Sequence, residues 1–309
     1  MSLVGEAPGY IQVFSDGSVK RFTPEVVLAS TESSNGYKSK DVIIDSSKPI
    51  TARLFLPDSQ ESTSRLPVLV YFHGGGFCLG STTWVGFHHF LGDLSVASQS
   101  IVLSVDYRLA PENRLPTAYD DCYSAIEWLR NLKNNETWLK QADLSRVFLS
   151  GDSAGGNIVH QVAVRATRNK ISNIKIRGLM PLHPYFGSEK RTQKEMADGS
   201  EKDVAMNDMF WQLSIPKGSN RDYFGCNFEM QEVSADVWRE FPAVAVHVAG
   251  ADFLSERGVM YGKFLAIKGV KEVSVVEAPG EPHIFHVFHP ESDATRLLQQ
   301  QMSEFMKNH

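Results

Sequence analysis

The sequence predicts an α/β fold, a mostly parallel sheet covered by helices on both faces. Two patterns carry that expectation. Short apolar runs recur through the middle of the chain, as strands buried on both sides of a parallel sheet do. Longer amphipathic stretches separate them, the alternation that crossover helices require. The 309 residues, 42% of them hydrophobic, can bury a large core, and their number suits one large domain or two small ones.

Taken in chain order, residues 1 to about 40 are polar and irregular and predict no regular element. "DVIIDSSKPITARLFLP" (41–57) predicts two strands joined by a Ser/Lys/Pro turn, an antiparallel edge on the main sheet. Buried strands are expected at "LPVLVYF" (66–72), "SIVLSVDY" (100–107), "RVFLSG" (146–151), "IRGLMPLHP" (176–184), "PAVAVHVAG" (242–250) and "EVSVVEAPG" (272–280). A helix is expected over 116–134, where Pro116 suits the first turn and Tyr119, Tyr123, Ile126 and Leu129 share a face. Residues 187–238 form a long insertion where a short crossover would suffice, and such insertions usually serve as lids or binding loops. One domain, 1–309, with a cap drawn from about 1–40 and 187–238 is the economical organisation.

Charge and composition exclude several roles. A net charge of −5 without a dense Lys/Arg run leaves no footprint for nucleic acid or an anionic membrane. Cys78, Cys122 and Cys226 are far apart and lack a C-x-x-C pair, which points to reduced core thiols. No basic and apolar leader opens the chain and no apolar run reaches membrane-spanning length, so a soluble cytoplasmic protein is expected. The oligomeric state has no signal in the sequence.

The chemistry concentrates in "RVFLSGDSAGGNIVHQVAVRA" (146–166). Gly151-Asp152-Ser153-Ala154-Gly155 satisfies G-x-S-x-G, a weak pattern alone, but a strand runs into it and an amphipathic helix follows. Strand, sharp turn and helix are what present a serine nucleophile in a strained, exposed conformation, at a helix N-terminus that favours developing negative charge. A second stretch, "YFHGGGFCLGS" (71–81), leaves a strand as His73-Gly74-Gly75-Gly76 with backbone N–H groups unobstructed. The bare N–H groups of this loop, with that of Ala154, are candidate oxyanion donors, each typically worth on the order of 3 kcal/mol of barrier. The loop lacks the G-K-[ST] ending of a P-loop and the G-x-G-x-x-G spacing of a dinucleotide turn, and His73 is expected to anchor it.

An activated serine also needs a base and an acid that orients the base. Asp252 and His283 lie just beyond the last two expected strands, in the order Ser, acid, His. Glu256 is the competing acid, expected about one turn further on and facing solvent. "GEPHIFHVFHP" (280–290) sets His283, His286 and His289 three residues apart. Neither helix nor strand makes three such side chains converge, so no metal site is expected; His283 is the base, and the other two are bystanders running into the next helix.

His73-Gly74-Gly75-Gly76, "DYRLAPE" (106–112), "GDSAGGN" (151–157) and the late Asp and His together resemble the hormone-sensitive-lipase branch of the α/β-hydrolase fold. Within it the chain is similar to plant carboxylesterases related to the gibberellin receptor, and "YIQVFSDGSVKRF" and "GSEKRT" extend the likeness over nearly its whole length. The resemblance implies an eight-stranded sheet, a nucleophile at Ser153, an acid at Asp252, a base at His283 and an oxyanion hole at Gly75 and Gly76, completed by Ala154. It also implies a structural ion pair between Arg108 and Glu112 beneath the site. Phe253 and Glu256 stand where the family often has Pro and Asp.

The expected activity is hydrolysis of a small apolar or aromatic ester through an acyl-enzyme, with no metal, nucleotide or flavin required. Phe77, Trp84, Phe210 and Trp211 are the candidate substrate contacts, with Tyr223 and Phe224 as further aromatic residues of the cap. Two alternatives share the scaffold. A hormone receptor would have lost the base and the last loop glycine, whereas His283 and Gly76 are present; a cyclase or eliminase of plant specialised metabolism would keep the pocket, although dehydratase relatives carry Thr where Ser153 stands.

Overall fold

Eight strands, ordered β11-β10-β9-β8-β6-β7-β5-β4, form the main sheet of the computed structural model, which describes residues 2–58, 65–131 and 136–309. They are β4 (Tyr37–Asp45), β5 (Ile50–Pro57), β6 (Leu66–Phe72), β7 (Ile101–Asp106), β8 (Ala142–Asp152), β9 (Ile176–Leu182), β10 (Ala243–Ala249) and β11 (Val273–Ala278). Every residue of β6 is buried, as its unbroken apolar run predicts. Strand β5 pairs antiparallel with both β4 and β7, and the remaining pairs are parallel. The antiparallel edge thus falls where the 41–57 pattern puts it.

Helices cover both faces. One layer holds α1 (Val85–Ser98) and α8 (Asp293–Asn308), whose Phe90, Leu94, Leu298 and Met302 pack with Leu69, Tyr71 and Phe148 of the sheet. The other holds α2 (Thr117–Arg130), α3 (Ala154–Asn169) and α6 (Ser255–Lys268), with Ile126, Ile158, Val162 and Leu265 against Val68, Val70 and Leu149. In α2, Tyr119, Tyr123, Ile126 and Leu129 are buried as their spacing predicts; the helix ends at Arg130, and 132–134 lie outside the described residues. All three cysteines are free and buried. Among the described residues no helix is long and apolar enough to cross a membrane.

The chain leaves β6 for β7 on one side and returns through β8 on the other, so β6 and β8 are neighbours whose connections diverge. A crevice at the carboxyl ends of such a strand pair is where open α/β sheets bind ligands. The glycine loop follows β6, and Ser153 follows β8.

Two features differ from the sequence expectation, the N-terminal segment and the partners of Arg108 and Glu112. The N-terminal segment is not irregular: β1 (Leu3–Ala7), β2 (Ile11–Phe14) and β3 (Val19–Arg21) form a separate antiparallel sheet that buries Ala7, Ile11 and Val13. Strands of three to five residues are too short to show a period against a polar background. The insertion contains α4 (Glu201–Ser214) and α5 (Ala235–Arg239), and α4 meets β1 where Met209 packs against Gly5.

Arg108 and Glu112 do not pair with each other. Arg108 reaches α2, where its guanidinium donates to both oxygens of buried Asp121 over 2.7 and 2.9 Å. Glu112 instead receives Arg21 of β3 over 2.7 and 2.8 Å. Arg21 also donates to the carbonyls of Cys78 and Ala110, so it ties the small sheet to the loops beside the site.

Candidate active site

Ser153 sits between β8 and α3 with φ 52° and ψ −116°, a strained conformation for a residue with a side chain. Its backbone is clamped: the N–H donates to Leu182 O over 2.9 Å, and its carbonyl accepts from Tyr185 N at 2.9 Å. The flanking glycines are required by contact. A Cβ on Gly155 would stand 1.8 Å from Phe72 O, and one on Gly151 2.5 Å from the same atom. The end of β6 thus passes too close to the turn for any side chain. Asn157 secures the next turn by accepting from Tyr119 Oη and donating to the carbonyls of Tyr185 and Gly225.

Beyond Phe72 the glycine loop bends over Ser153. Gly75 has φ 110° and Gly76 φ 57°. A Cβ on Gly75 would meet Leu79 O at 2.4 Å and one on Gly76 would meet the Phe210 ring at 2.8 Å. Gly74 N donates to Asp152 Oδ1 over 3.1 Å, while Gly75 and Gly76 keep their N–H groups without a protein acceptor among the described residues. Ala154 opens α3, so its N–H has no intrahelical acceptor. His73 is buried, stacks on Tyr107 at 4.3 Å and donates from Nδ1 to Gly74 O over 2.8 Å, the anchoring position expected of it. Burial pushes the Asp152 carboxyl up to about 6, although the Tyr71 hydroxyl and Gly74 N–H favour its charge.

His283 follows β11 and Asp252 follows β10. His283 Nδ1 lies 2.6 Å from Asp252 Oδ2, and Nε2 lies 3.0 Å from Ser153 Oγ. The carboxylate accepts, so Nδ1 carries the proton and Nε2 is left to accept from the serine hydroxyl. Leu254 N holds the other carboxylate oxygen over 2.8 Å. Asp252 is buried, which alone would raise its pKa, but the His283 charge, their hydrogen bond and Leu254 N–H bring it below the usual carboxylate value. Burial likewise depresses His283, yet Asp252 and the more distant Asp152 and Asp203 lift it above an ordinary histidine. Ile284 has φ 48°, rare for a β-branched residue, and its N–H donates to His183 Nδ1 over 3.1 Å. Burial and neighbouring histidines keep His183 well below the usual histidine value, so it accepts as a neutral ring.

Glu256 is not part of this chain of contacts. It lies in the first turn of α6 and accepts from Lys194 N over 3.0 Å.

Comparison with known proteins shows the family. Residues 69–287 match the model of a family with the alpha/beta hydrolase fold. The chain is 42% identical over 252 residues to probable carboxylesterase 6 of Arabidopsis thaliana, covering 79% of this chain and 75% of that one. It is 34% identical over 308 residues to probable carboxylesterase 1 of the same plant, covering 96% and 95%. The chain belongs to the plant carboxylesterase family of α/β-hydrolases. Carboxylesterase folds of this kind extend beyond plants: a hyperthermophilic esterase from the archaeon Pyrobaculum calidifontis superposes with a TM-score of 0.74 at 27% identity, covering 88% of this chain and 83% of that one.

Ser153, His283 and the three loop glycines open onto a cavity of about 400 Å³. The N-terminal sheet contributes Ala7 and Tyr10, and α4 contributes Asp203, Met206, Asn207 and Phe210. Of the four aromatic residues expected to contact substrate, Trp84 and Phe210 line it. Phe77 and Trp211 do not: they are buried, pack on each other at 5.6 Å, and Trp211 stacks on Tyr185 at 4.3 Å. They form the wall behind the cavity, since adjacent residues on α4 point to different sides. Tyr223 and Phe224 pack on each other away from it.

The other two histidines of the trio also separate. His286 lies in the single-turn α7 (Phe285–Phe288), fully buried against Phe90 at 4.5 Å, and burial holds its pKa down to about 3. It is a core residue. His289 is exposed, and the following helix begins at Asp293 behind the Ser292 cap. Residues missed in the sequence are Asp152, His183, Asp203, Asn207 and the cavity-lining Phe253 and Phe288. Asp152 and His183 stand at strand carboxyl ends, a positional signal, whereas nothing local marks a face of α4 as facing the serine.

Proposed function

We propose that this carboxylesterase-family protein hydrolyses small apolar or aromatic esters through an acyl-enzyme on Ser153. The observation that carries this reading is the unbroken hydrogen-bonded chain Asp252–His283–Ser153, open at the serine end to the cavity. Ser153 Oγ attacks the ester carbon as its proton passes to His283 Nε2, and Asp252 stabilises the imidazolium. The carbonyl oxygen, now negative, receives hydrogen bonds from Gly75, Gly76 and Ala154 N–H. Collapse expels the alcohol, which takes the proton from His283. Water then attacks the acyl carbon with His283 again as base, and release of the acid restores the Ser153 hydroxyl. The N-terminal sheet and the insertion act as the cap that shapes this cavity.

A fluorophosphonate probe should label the native protein at Ser153, located by peptide mapping. Hydrolysis of short-chain p-nitrophenyl esters should vanish in Ser153→Ala with the fold kept. A folded wild-type protein that is neither labelled nor active on any activated ester would overturn the proposal.

A further inference from the structure

The cavity beside Ser153 is lined chiefly by apolar and aromatic side chains, with one carboxylate among them, Asp203. Asp203 stands in the first turn of α4, where a helix N-terminus favours acids generally, yet the acids of α4 differ in their surroundings. Asp208 is paired with Arg191 and Arg221 and faces away from the cavity. Asp203 is exposed, lines the cavity, and has no cationic or hydrogen-bonding partner among the described residues. One turn on, Asn207 lines the same wall. It is 4% exposed, and its Oδ1 is buried without a hydrogen-bond partner among the described residues.

Asp203 and Asn207 thus set a free carboxylate and a polar side chain one helical turn apart on the same wall, and the carboxylate is placed to meet a positive group on the ligand. The rings of Trp84 and Tyr10, stacked at 6.3 Å, line the cavity too and offer π faces to a cation. No lysine or arginine is among the described residues around the cavity. The charge is also felt at the reacting centre: burial depresses the His283 imidazole, and Asp252, Asp152 and Asp203 outweigh it.

We propose that Asp203 is a specificity-determining residue that selects esters carrying a cationic group, an amine or quaternary ammonium, over neutral or anionic ones of the same shape. This rests on the ester-hydrolase reading above and deepens it. The cation sits near the Asp203 carboxylate while the ester carbonyl lies at Ser153. Anionic esters are disfavoured by repulsion in a cavity without a compensating base.

The test is a pair of matched substrates, butyrylcholine and 3,3-dimethylbutyl butyrate, which differ by nitrogen against carbon at the charged centre. The ratio of their kcat/KM values is expected to favour the cation in wild type and to fall about tenfold in Asp203→Asn. Asp203→Glu, which restores the charge, should recover most of the ratio. An unchanged ratio in Asp203→Asn, with ester hydrolysis intact, overturns the role of Asp203 and leaves the hydrolase reading standing. Binding separates the two claims further: benzyltrimethylammonium is titrated calorimetrically into Ser153→Ala and into Ser153→Ala/Asp203→Asn. Affinity is expected to weaken at least about fivefold in the second protein. Equal affinities, or no binding to either, overturn the proposal whether or not esters are cleaved.

Discussion

Tyr71 donates its hydroxyl to Asp152 Oδ1 over 2.7 Å, joining the interior of β6 to the residue that precedes Ser153. The same oxygen accepts Gly74 N–H, so one buried carboxyl braces the oxyanion loop and the nucleophile turn together. This brace stands in a fully buried setting, with Oδ2 left without a partner among the described residues.

Stability should therefore depend on pH through Asp152. Its folded value of about 6 lies above the ordinary 3.8, so its contribution is fully present below about pH 3.8 and is lost as pH rises through about 6. Asp152→Asn removes that dependence. Urea denaturation from pH 4 to 7 should show the variant gaining on wild type as pH rises, by up to about 3 kcal/mol. A difference between the two that stays constant with pH would refute it.

Asp252→Asn should lower kcat by about three orders of magnitude, whereas Glu256→Gln should stay within about twofold. The base must be neutral to take the serine proton, and His283 is raised above 6.5, so the acid limb of kcat/KM should lie above pH 6.5 in wild type. Losing the Asp252 charge lowers that pKa and should move the limb to lower pH. Equal losses in the two variants would show the acid to be misassigned.

Gly155→Ala puts a methyl 1.8 Å from a backbone oxygen, and the neighbouring strand end has no flexible side chain to yield. The cost should exceed about 3 kcal/mol, seen as a lower urea midpoint or failure to fold. Gly218→Ala, with φ 86° but open space around it, should cost only about 1 kcal/mol. Comparable midpoints for the two variants would contradict the close approach.

His286→Ala should destabilise by about 2 to 4 kcal/mol through the cavity it leaves beside Phe90, while exposed His289→Ala should change stability by less than about 0.5 kcal/mol. With a folded value of about 3 against 6.5, the stability His286 contributes as a neutral ring is present above pH 6.5 and lost as pH falls toward 3. Chemical denaturation across that range should therefore show the wild type losing stability on acidification faster than His286→Ala.

The strand and helix pattern from residue 41 onward, the antiparallel edge and the positions of Ser153, Asp252 and His283 were legible because they depend on local sequence. A buried parallel strand needs an apolar run, and a sharp turn carrying a serine needs small residues around it. The three short N-terminal strands were not legible, since a few residues of pairing leave no period, and what holds them is distant in sequence: the carbonyls of Cys78 and Ala110 that Arg21 reaches, and α4 against β1.

By itself the sequence determined the α/β class, the chain order of the candidate triad Ser153, Asp252 and His283, and the glycines that make room around the serine. Only the tertiary structure decided which partner each charged or aromatic group meets. Arg108 went to Asp121 and Glu112 to Arg21; Phe210 faced the cavity while neighbouring Trp211 turned behind it; His286 entered the core. Residue type fixes what a side chain can do, but its partner is set by the close approach of segments far apart in sequence, as the 130-residue separation of Ser153 and His283 illustrates.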